Sequence, residues 1–414
     1  MKVLVLAPRP LSPAHDGGTV ATVRCINGLA EAGAGVTVLS MKTEKHKSGG
    51  SEAQGFPYHY RTVSVNTSVR PVSMLFNLFF SGKPYDLARF ISRDYSAALQ
   101  EILSAGSFDI VHCEGLAFAL YLDEIRKLTS APVVLRAHNI EHRIREMMVA
   151  GERSPLRRFY LANLSRRLKR LERDAAAHFD AIVPISGPDR DWFSLEANGK
   201  PVFLCETGTD MPSFIQEPEG VTPRVGFIGS MNWKPNLDGI RWFIESVWPL
   251  VLKEIPDASL RLAGRGIDAV MASIPEATNL CLVGEPDDAR SFIASNHVMI
   301  APLFAGSGLR IKIVESMSAG RAVVATPVAA EGMETFAWNA LTSQPGPTGT
   351  SAVEALIIAA DPETFSSALV KYLKNPDLRS DAGKAAVKLI EERYNNRSLT
   401  AGLLEFYKKL AHDS

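Results

Sequence analysis

The residues best suited to chemistry lie at positions 301–320, where a short apolar run ends in a glycine-serine-glycine turn. The segment reads APLFAGSGLRIKIVESMSAG, and its turn consists of Gly306, Ser307 and Gly308. We expect a strand to end at Pro302 and a helix to begin near Leu309, so that free backbone amides converge at the turn. Such amides and the positive end of a helix dipole form an anion site that suits a diphosphate.

Charged side chains at the start of this helix favour the same interpretation. Arg310 and Lys312 fall in its first turn, where cations oppose the helix dipole and are disfavoured unless they bind an anion. Glu315 lies deeper in the helix among apolar residues. A carboxylate there can accept hydrogen bonds from two hydroxyls, which suits the ribose of a nucleotide better than it suits a solvated helix face.

Two motifs in the first half of the chain are further candidates. Gly17 and Gly18 precede a predicted helix, and such a pair permits close backbone approach to an anion, although a loop-closing turn explains it equally well. His138 ends a predicted strand in RAHNIEH, and a side chain there points into the crevice at the carboxyl edge of a parallel sheet. Nearby Glu141 either binds or activates an acceptor hydroxyl or merely favours the start of a helix.

Short β-branched runs alternate with segments of helical periodicity and predict α/β structure with parallel sheets. The predicted strands are 3–6, 36–40, 110–112, 133–136, 182–185 and 202–205, then 225–228, 260–263, 280–283, 298–301 and 323–325. A stretch rich in Pro, Gly and Glu at 212–223 separates the two series. We therefore expect two Rossmann-like domains whose strand carboxyl ends face each other across a cleft.

The predicted domain limits follow from this break. The first domain spans residues 1–215 and the second spans residues 216–390. Residues 391–414 are expected to form a helix that crosses back and packs on the first domain.

Composition and charge exclude several classes of protein. The 414 residues include 45 Lys and Arg against 45 Asp and Glu, so no bulk attraction to nucleic acid is expected. No apolar stretch reaches membrane-spanning length, and the N-terminal run is too short for a signal peptide, which favours a cytoplasmic protein. Cys25, Cys113, Cys205 and Cys281 show neither disulfide-framework nor zinc spacing, so we expect buried free thiols.

Two segments interrupt the regular alternation. Residues 71–92 carry several aromatic side chains, which could line an acceptor pocket, contact lipid or form a buried cap over the first sheet. Residues 136–173 contain 11 Lys and Arg against 4 Glu and include an amphipathic helix with an apolar series from Leu156 to Ala175. For these basic residues we favour a solvated face over a membrane-binding face.

The second half of the chain resembles glycosyltransferase family 4. The similarity is carried by RVGFIGSMNWK at 224–234, LRLAG at 260–264 and, most closely, residues 307–320. In that family a Gly-Ser-Gly-x-Arg-x-Lys-x-x-Glu-x-Met-x-x-Gly run is the donor site. The resemblance implies a GT-B hexosyltransferase that retains anomeric configuration and uses a nucleotide-diphosphate sugar, with the acceptor on the first domain and the donor on the second.

The resemblance also implies roles for individual residues. Glu315 would bind the donor ribose, and the turn at 307–309 would bind the donor sugar and phosphates. Ser307 stands where many members have a first glutamate, so backbone groups of the turn may replace a carboxylate contact with the sugar. Lys234 would bind the diphosphate, while Ser230 takes the place of the family's nearer arginine.

In the first domain, the resemblance puts Gly17 and Gly18 over the donor phosphates and His138 against the donor sugar. The implied mechanism is a front-face transfer in which the departing phosphate oxygen helps to deprotonate the acceptor. Lys234, Arg310 and helix-start amides would stabilise that phosphate. The resemblance implies no catalytic metal and no other cofactor, and the sequence offers no metal-binding Asp-x-Asp motif in a suitable loop.

Several alternatives remain open on the sequence alone. A nucleotide-sugar epimerase or a glycan phosphorylase could share the fold, and a non-catalytic sugar-nucleotide-binding subunit would fit the serines at 230 and 307. The donor base could be uracil, guanine or adenine. The expected acceptor is a glycan or a lipid-linked glycan in polysaccharide or glycolipid assembly, and a lipid acceptor would bring peripheral contact with the inner face of the membrane.

Overall fold

The computed structural model describes residues 1–14, 16–44, 56–209, 212–219, 222–306, 308–333, 338–339, 344–345 and 355–413. These residues form two compact units, one of residues 1–14, 18–207 and 396–414 and the other of residues 15–17 and 208–395. The first unit therefore ends at Thr207, before the predicted limit at 215. Residues beyond Gly208 belong to the second unit because Ser213 and Ile215 donate backbone hydrogen bonds to Ser318 and Ala319.

The first unit is built on a six-stranded parallel sheet in the order β3-β2-β1-β4-β5-β6. Its strands are β1 (Lys2–Ala7), β2 (Gly35–Lys42), β3 (His59–Ser64), β4 (Ile110–Glu114), β5 (Val133–Ala137) and β6 (Ala181–Pro184). Its helices are α1 (Gly17–Glu31), α2 (Pro71–Phe80), α3 (Tyr85–Ala88), α4 (Arg93–Ala105), α5 (Leu122–Leu128), α6 (Glu141–Ala150), α7 (Pro155–His178), α8 (Gly187–Glu196) and α16 (Asn396–His412).

The second unit repeats this order in an eight-stranded sheet, β13-β12-β14-β11-β10-β7-β8-β9. Its strands are β7 (Arg224–Ile228), β8 (Ser259–Ala263), β9 (Leu280–Gly284), β10 (Val298–Ala301), β11 (Ala322–Ala325), β12 (Trp338–Asn339), β13 (Gln344–Pro345) and β14 (Leu356–Ile358). Its helices are α9 (Lys234–Trp242), α10 (Trp248–Glu254), α11 (Ile267–Val270), α12 (Ala289–Ala294), α13 (Ile311–Ser318), α14 (Pro362–Lys374) and α15 (Pro376–Arg393).

Both sheets have the strand order of a doubly wound Rossmann-type fold, which confirms the predicted α/β class. The order reverses between β1 and β4 in the first unit and between β7 and β10 in the second. Ligands of such sheets bind beyond the strand carboxyl ends at the point of reversal. That rule directs attention to the loops after these four strands and after their neighbours β5 and β11.

Burial explains why the central strands read as unbroken apolar runs. Val3 and Val5 pack into one core cluster and Leu4 and Leu6 into another, so both faces of β1 are covered. The last helix, α16, contributes Leu403 and Tyr407 to the same cluster as Val3. This packing confirms that the C-terminal helix returns to the first unit.

Some predicted elements differ from the structure. The edge strand β3 and the short inner strand β14 were not predicted, whereas residues 202–205 form only a single bridge, between Val202 and Ile182. The amphipathic helix of residues 156–175 is present as α7, but Leu156 is 83% exposed. Cys281 is exposed, contrary to the expectation that every thiol is buried, because it lies on the edge strand β9.

Candidate active site

His138, the predicted catalytic histidine, directly follows β5 in the first unit and is held by a buried carboxylate. Its Nε2 lies 2.5 Å from Oε2 of Glu114, the last residue of the adjacent strand β4. The His138 side chain is 17% exposed, whereas that of Glu114 is fully buried. The buried carboxylate thus fixes the orientation of the imidazole, and part of the ring remains accessible to solvent.

Glu114 is the centre of a buried polar network. It accepts hydrogen bonds from Thr22 Oγ1 at 3.1 Å and Arg136 Nη1 at 3.4 Å, and its Oε1 lies 2.9 Å from His112 Nε2. Burial alone would raise the pKa of Glu114, but Arg136, His138 and His112 hold this pKa well below its usual range. Glu114 is therefore a carboxylate that interacts with three basic groups.

The C-terminal helix α16 extends this network. The Tyr407 hydroxyl lies 2.7 Å from His112 Nδ1, and both side chains are fully buried. A chain of contacts therefore runs from Tyr407 through His112 and Glu114 to His138. Sequence reasoning missed Glu114, although an acidic residue at the end of an apolar central strand was a signal that could have identified it.

Among the described residues, Cys25, His112 and Glu114 bring potential metal-ligand atoms within 4.8 Å of one another. Burial raises the pKa of the Cys25 thiol, which keeps it protonated, and Glu114 already accepts hydrogen bonds from cationic Arg136. This donor set fits a hydrogen-bonded core better than a metal ion. That catalysis needs no metal ion stays a prediction.

Glu141, the other catalytic candidate of the first unit, begins α6. Its backbone N–H donates to Glu172 Oε1 at 2.6 Å, and its carboxylate accepts from Asn139 at 3.5 Å. Burial and the nearby charge of Glu172 raise the pKa of Glu141. The neighbouring His142 is buried, with Nδ1 2.5 Å from Glu172 Oε2, so it has a structural partner.

The glycine pair of the first half of the chain lies where α1 begins, since Gly17 is the first helical residue and Gly18 the second. Gly17 is exposed and Gly18 partly exposed. This position after β1 is the one that the sequence analysis expected. Contact of the pair with phosphates stays a prediction.

In the second unit, Lys312 occupies the point where the strand order reverses. Its ammonium donates to Asn236 Oδ1 at 2.9 Å and lies 4.2 Å from the ring centre of Phe227 in β7. A Cβ on Gly229, just beyond β7, would come within 2.7 Å of the same ammonium. Glycine at 229 therefore leaves the space that this lysine occupies.

The Lys312 ammonium has a pKa near neutral pH. Burial, and secondarily the positive charge of Arg310, lower its pKa from 10.5 to about 7. A lysine so perturbed gains by binding an anion, because the anion offsets the cost of its buried charge. It is therefore the second unit's best-defined candidate for a phosphate ligand.

Glycines end three neighbouring strands around this lysine. Gly229, Gly264 and Gly284 follow or end β7, β8 and β9, and Gly264 and Gly284 have φ values of 134° and 82°. A Cβ on Gly264 would overlap the Gly229 carbonyl oxygen. The ends of β7 and β8 therefore approach each other through backbone rather than through side chains.

The predicted anion-binding turn precedes α13. Gly306 and Gly308 have φ values of 142° and 78°, which favour glycine at both positions, while Ser307 between them lies outside the described residues. Leu309 and Arg310 are buried, and the Arg310 guanidinium lies 6.0 Å from the ring centre of Trp233. The helix begins at Ile311, with Arg310 in the N-cap position rather than in the first turn.

Glu315 shares one side of α13 with Lys312. These two are the residues of Ile311–Ser318 that remain partly accessible, and the other six are buried. Residues three apart on a helix lie on the same face, so the ammonium and the carboxylate belong to one polar strip. This arrangement is compatible with a nucleotide diphosphate, although the ribose contact of Glu315 is untested by it.

Two further predicted donor residues lie in the loop after β7. Lys234 begins α9, forms an ion pair with Asp238 one turn later and is 70% exposed. The Ser230 carbonyl accepts a hydrogen bond from Asn236 Nδ2 at 2.7 Å, and Asn236 in turn accepts from Lys312. The Asn236 side-chain amide thus links Ser230 to Lys312, whereas Lys234 pairs with Asp238.

Within the described part of the chain, no helix combines the length and apolar character needed to cross a bilayer.

Two family models match the chain. Residues 16–201 match a glycosyl transferase 4-like domain, and residues 222–375 match glycosyl transferases group 1. A Klebsiella pneumoniae protein described as an uncharacterized 44.6 kDa protein in the cps region is 25% identical over 74% of this chain and 76% of its own length. A phosphatidyl-myo-inositol mannosyltransferase from Mycobacterium leprae is 26% identical over 55% of this chain and 59% of its own.

Solved structures are similar over essentially the whole chain. The sucrose-phosphate synthase of Thermosynechococcus elongatus gives a TM-score of 0.73 at 15% identity, with complete coverage of both chains. Anabaena HepE in complex with UDP-glucose gives a TM-score of 0.66 at 12% identity, covering 99% of this chain and 100% of its own. At such identities the likeness shows the fold alone.

Proposed function

The chain belongs to glycosyltransferase family 4, and from this premise we propose that it transfers a hexosyl group from a nucleotide-diphosphate sugar to a hydroxyl of a glycan or lipid-linked acceptor. The transfer would retain anomeric configuration and serve polysaccharide or glycolipid assembly. The matched models and the named relative are glycosyltransferases, which supports transfer over the epimerase, phosphorylase and binding-subunit alternatives.

The observation that carries the proposal is Lys312 beside the glycine-lined strand ends. A lysine with a pKa of about 7 next to Gly229 offers a positive charge where backbone can approach a ligand closely. Arg310 adds a second cation, and Glu315 lies on the same accessible strip for the ribose. Lys312 would bind the diphosphate and offset its negative charge.

The proposed donor class agrees with the neighbours. The Anabaena HepE structure contains UDP-glucose, and a starch synthase with the same fold, at a TM-score of 0.66 and 14% identity, contains ADP. Diphosphate recognition is shared by both nucleotides, whereas the bases differ. We therefore propose a nucleotide-diphosphate sugar without assigning its base.

In the first unit, His138 would contact the donor sugar, with Glu114 as its positioning residue. The buried carboxylate sets the orientation of the imidazole towards the donor sugar. Glu141, whose pKa is raised, would bind the acceptor hydroxyl. Gly17 and Gly18 would allow backbone amides to approach the phosphates.

We further propose that no metal ion is needed for turnover, since Lys312 and Arg310 supply positive charge at the phosphate position. A cytoplasmic location, with peripheral contact at the inner face of the membrane, would follow from a lipid-linked acceptor.

The proposal is tested first by the thermal unfolding of the full chain with UDP-, GDP- and ADP-sugars. The cognate donor should raise the melting temperature, because it binds the folded state alone. Product analysis should then show sugar transfer that requires an added acceptor, and NMR should show the donor's anomeric configuration in the product. Interconversion of sugars without acceptor would identify an epimerase, and donor binding without hydrolysis or transfer would identify a binding subunit.

A further inference from the structure

Helix α2 exposes an apolar face to solvent. Its apolar stripe consists of Val72, Leu75, Phe76, Phe79 and Phe80, which are between 54% and 81% exposed. The spacing of three and one residues puts these side chains on one face of the helix. No residue of α2 is buried, so this part of the segment 71–92 is not a buried cap. In the later part, Tyr85 is buried and Leu87 and Phe90 pack against the core of the first unit.

This orientation is the reverse of the usual one, in which an amphipathic helix turns its apolar face towards the core. It is held by α7, whose Arg167 donates to the Asn77 carbonyl at 2.9 Å and the Leu78 carbonyl at 2.6 Å. Arg167 also donates to Asn77 Oδ1 at 3.1 Å. The polar side of α2 is therefore fastened to the unit and the apolar stripe is left outward.

Exposed arginines accompany the stripe on α7. This arginine flank consists of Arg166 and Arg170, which are four residues apart on one face of α7, and neither forms an ion pair with a described residue. Leu156 and Phe159, at the start of the same helix, are 83% and 65% exposed. Helical periodicity puts these two apolar side chains on the same face as the arginine flank.

The position of both helices relates this surface to the candidate site. Helix α2 follows β3, and α6 and α7 follow β5, whose carboxyl end carries His138. All strands of this sheet are parallel, so their carboxyl ends lie at one edge. Helix α2 therefore follows a segment that leaves the sheet at the edge where His138 lies, whereas α7 runs from that side back to the start of β6.

We propose that the apolar stripe and the arginine flank dock this chain onto a bilayer that contains anionic lipids. The stripe enters the boundary between headgroups and acyl chains, and the arginines contact lipid phosphates. Charge complementarity selects a bilayer over a second copy of the chain, because a second copy would set one arginine flank near another. The inference deepens the proposed function, on which it rests for a lipid-linked acceptor, by naming the surface at which that acceptor is met.

The test is co-sedimentation of the full chain with vesicles, without donor or acceptor. The chain should bind equimolar phosphatidylcholine and phosphatidylglycerol and bind phosphatidylcholine alone far less. The variant F76S/F79S should bind at least about ten-fold more weakly, whereas Leu195→Ser, which removes an equally exposed apolar side chain from α8, should bind like the wild type. Equal binding by the wild type and F76S/F79S would overturn the proposal.

The arginine flank is tested separately. R166Q/R170Q should weaken binding to the anionic vesicles by roughly ten-fold and remove most of its salt dependence. K384Q/K388Q, which changes the net charge equally at exposed sites on α15, should not weaken binding. Equal losses in the two double variants would make the attraction nonspecific and contradict a defined docking surface.

A fluorescence measurement keeps the proposal falsifiable if a serine variant folds poorly. Phe79→Trp should shift its emission to the blue and be quenched by brominated lipid, whereas Leu195→Trp should not respond. An unchanged Phe79→Trp spectrum would overturn docking through α2. Sedimentation that shows a dimer lost in F76S/F79S, with no vesicle binding, would assign the stripe to a second copy instead.

Failure of docking can be told apart from failure of the proposed function. F76S/F79S should keep wild-type donor hydrolysis in solution, because neither phenylalanine belongs to the candidate site. If F76S/F79S loses vesicle binding and still hydrolyses the donor, the result supports the docking surface. A wild-type chain that hydrolyses donor and ignores anionic vesicles refutes docking and leaves the transferase proposal standing.

Discussion

The carboxyl edges of the two sheets share a strand order and differ in what covers them. In the first unit the edge holds buried charged groups, with Glu114 between Arg136 and two histidines. In the second unit the edge is formed by glycines, with Lys312 as the group whose pKa is strongly lowered. One scaffold thus supports a pre-oriented side chain in one unit and close approach to backbone in the other.

The difference follows from what each kind of contact requires. Orienting an imidazole needs a fixed partner, and a buried carboxylate with several hydrogen bonds provides one. Binding a diphosphate needs space and amides, and any side chain at Gly229 or Gly264 would fill that space. Variants of the first edge should therefore change turnover, and variants of the second should change donor affinity.

The largest effect is expected for His138→Ala. Turnover should fall by roughly 10²-fold or more, since a group that supports charge in the transition state is lost. The dissociation constant of the donor should change little, as measured by titration alongside steady-state kinetics. A loss of donor affinity as large as the loss of turnover would show that His138 acts in donor binding, and the two sheet edges would then not differ in function.

Replacement of Glu114 by Gln comes next. It removes the carboxylate that Arg136 and two histidines share, and the unpaired buried charge should destabilise the first unit by about 3 kcal/mol. Turnover per folded molecule should also fall, by roughly ten-fold, because His138 loses its partner. Denaturant unfolding and kinetics at a temperature where the variant is folded measure the two effects.

Tyr407→Phe is the matched control for that variant. It removes the contact to His112 and leaves the partner of His138 in place, so stability should fall by about 1 kcal/mol and turnover should persist. A Glu114→Gln variant that loses stability yet turns over like the wild type would show that the network is purely structural.

At the second edge, Lys312→Met should weaken donor binding by roughly ten-fold or more while leaving turnover at saturating donor less affected. Lys234→Met is its matched control, because Lys234 is 70% exposed and paired with Asp238. A calorimetric titration of both variants compares the two lysines. A larger loss of donor affinity in Lys234→Met would show that Lys234 binds the phosphate, as the family resemblance implied.

The pH dependence of donor binding should have the sign set by Lys312. Its pKa in the free protein is about 7, so the protonated form that an anion needs is lost as pH rises through that value. Donor affinity should therefore fall above pH 7, by up to about ten-fold per pH unit, and level off at lower pH. The profile should be flat in Lys312→Met; a wild-type slope in that variant would assign the titration to another group.

The smallest effect is expected for metal removal. Turnover measured after treatment with a chelator should stay within about two-fold of its untreated value, because lysine and arginine offset the phosphate charge. A loss that magnesium restores would show that these cations are insufficient and would revise the description of the second edge.

Strands with two covered faces were the easiest to predict. Those of β1, β5, β7 and β10 are short apolar runs bounded by turns, and their burial on both faces forces that pattern. Two strands were missed, because HYRTVS in the edge strand β3 is half-polar and β14 has only three residues. An edge strand buries less surface, and a buried strand of three residues is too short to show a period, so both sequences carry a weak signal.

The candidate site divides in the same way. Glycines with positive φ at 306 and 308 follow from local backbone sterics, so the turn was visible in the sequence. The choice between Lys234 and Lys312 was not, because it depends on which lysine is enclosed by β7 and Asn236. Glu114 was missed because Arg136 and His138, which identify it as a shared partner, are 22 and 24 residues away in the sequence.

By itself, the amino-acid sequence determined the alternation of strands and helices, the tandem Rossmann-like units, the family and the glycine turn before α13. All of these depend on periodicity and backbone conformation over a few neighbouring residues. Only the tertiary structure decided that Glu114 holds His138, that Lys312 has a pKa near 7, and that α2 turns its apolar stripe outward. Burial and charge at a site are sums over groups far apart in the chain, and only folding brings those groups together.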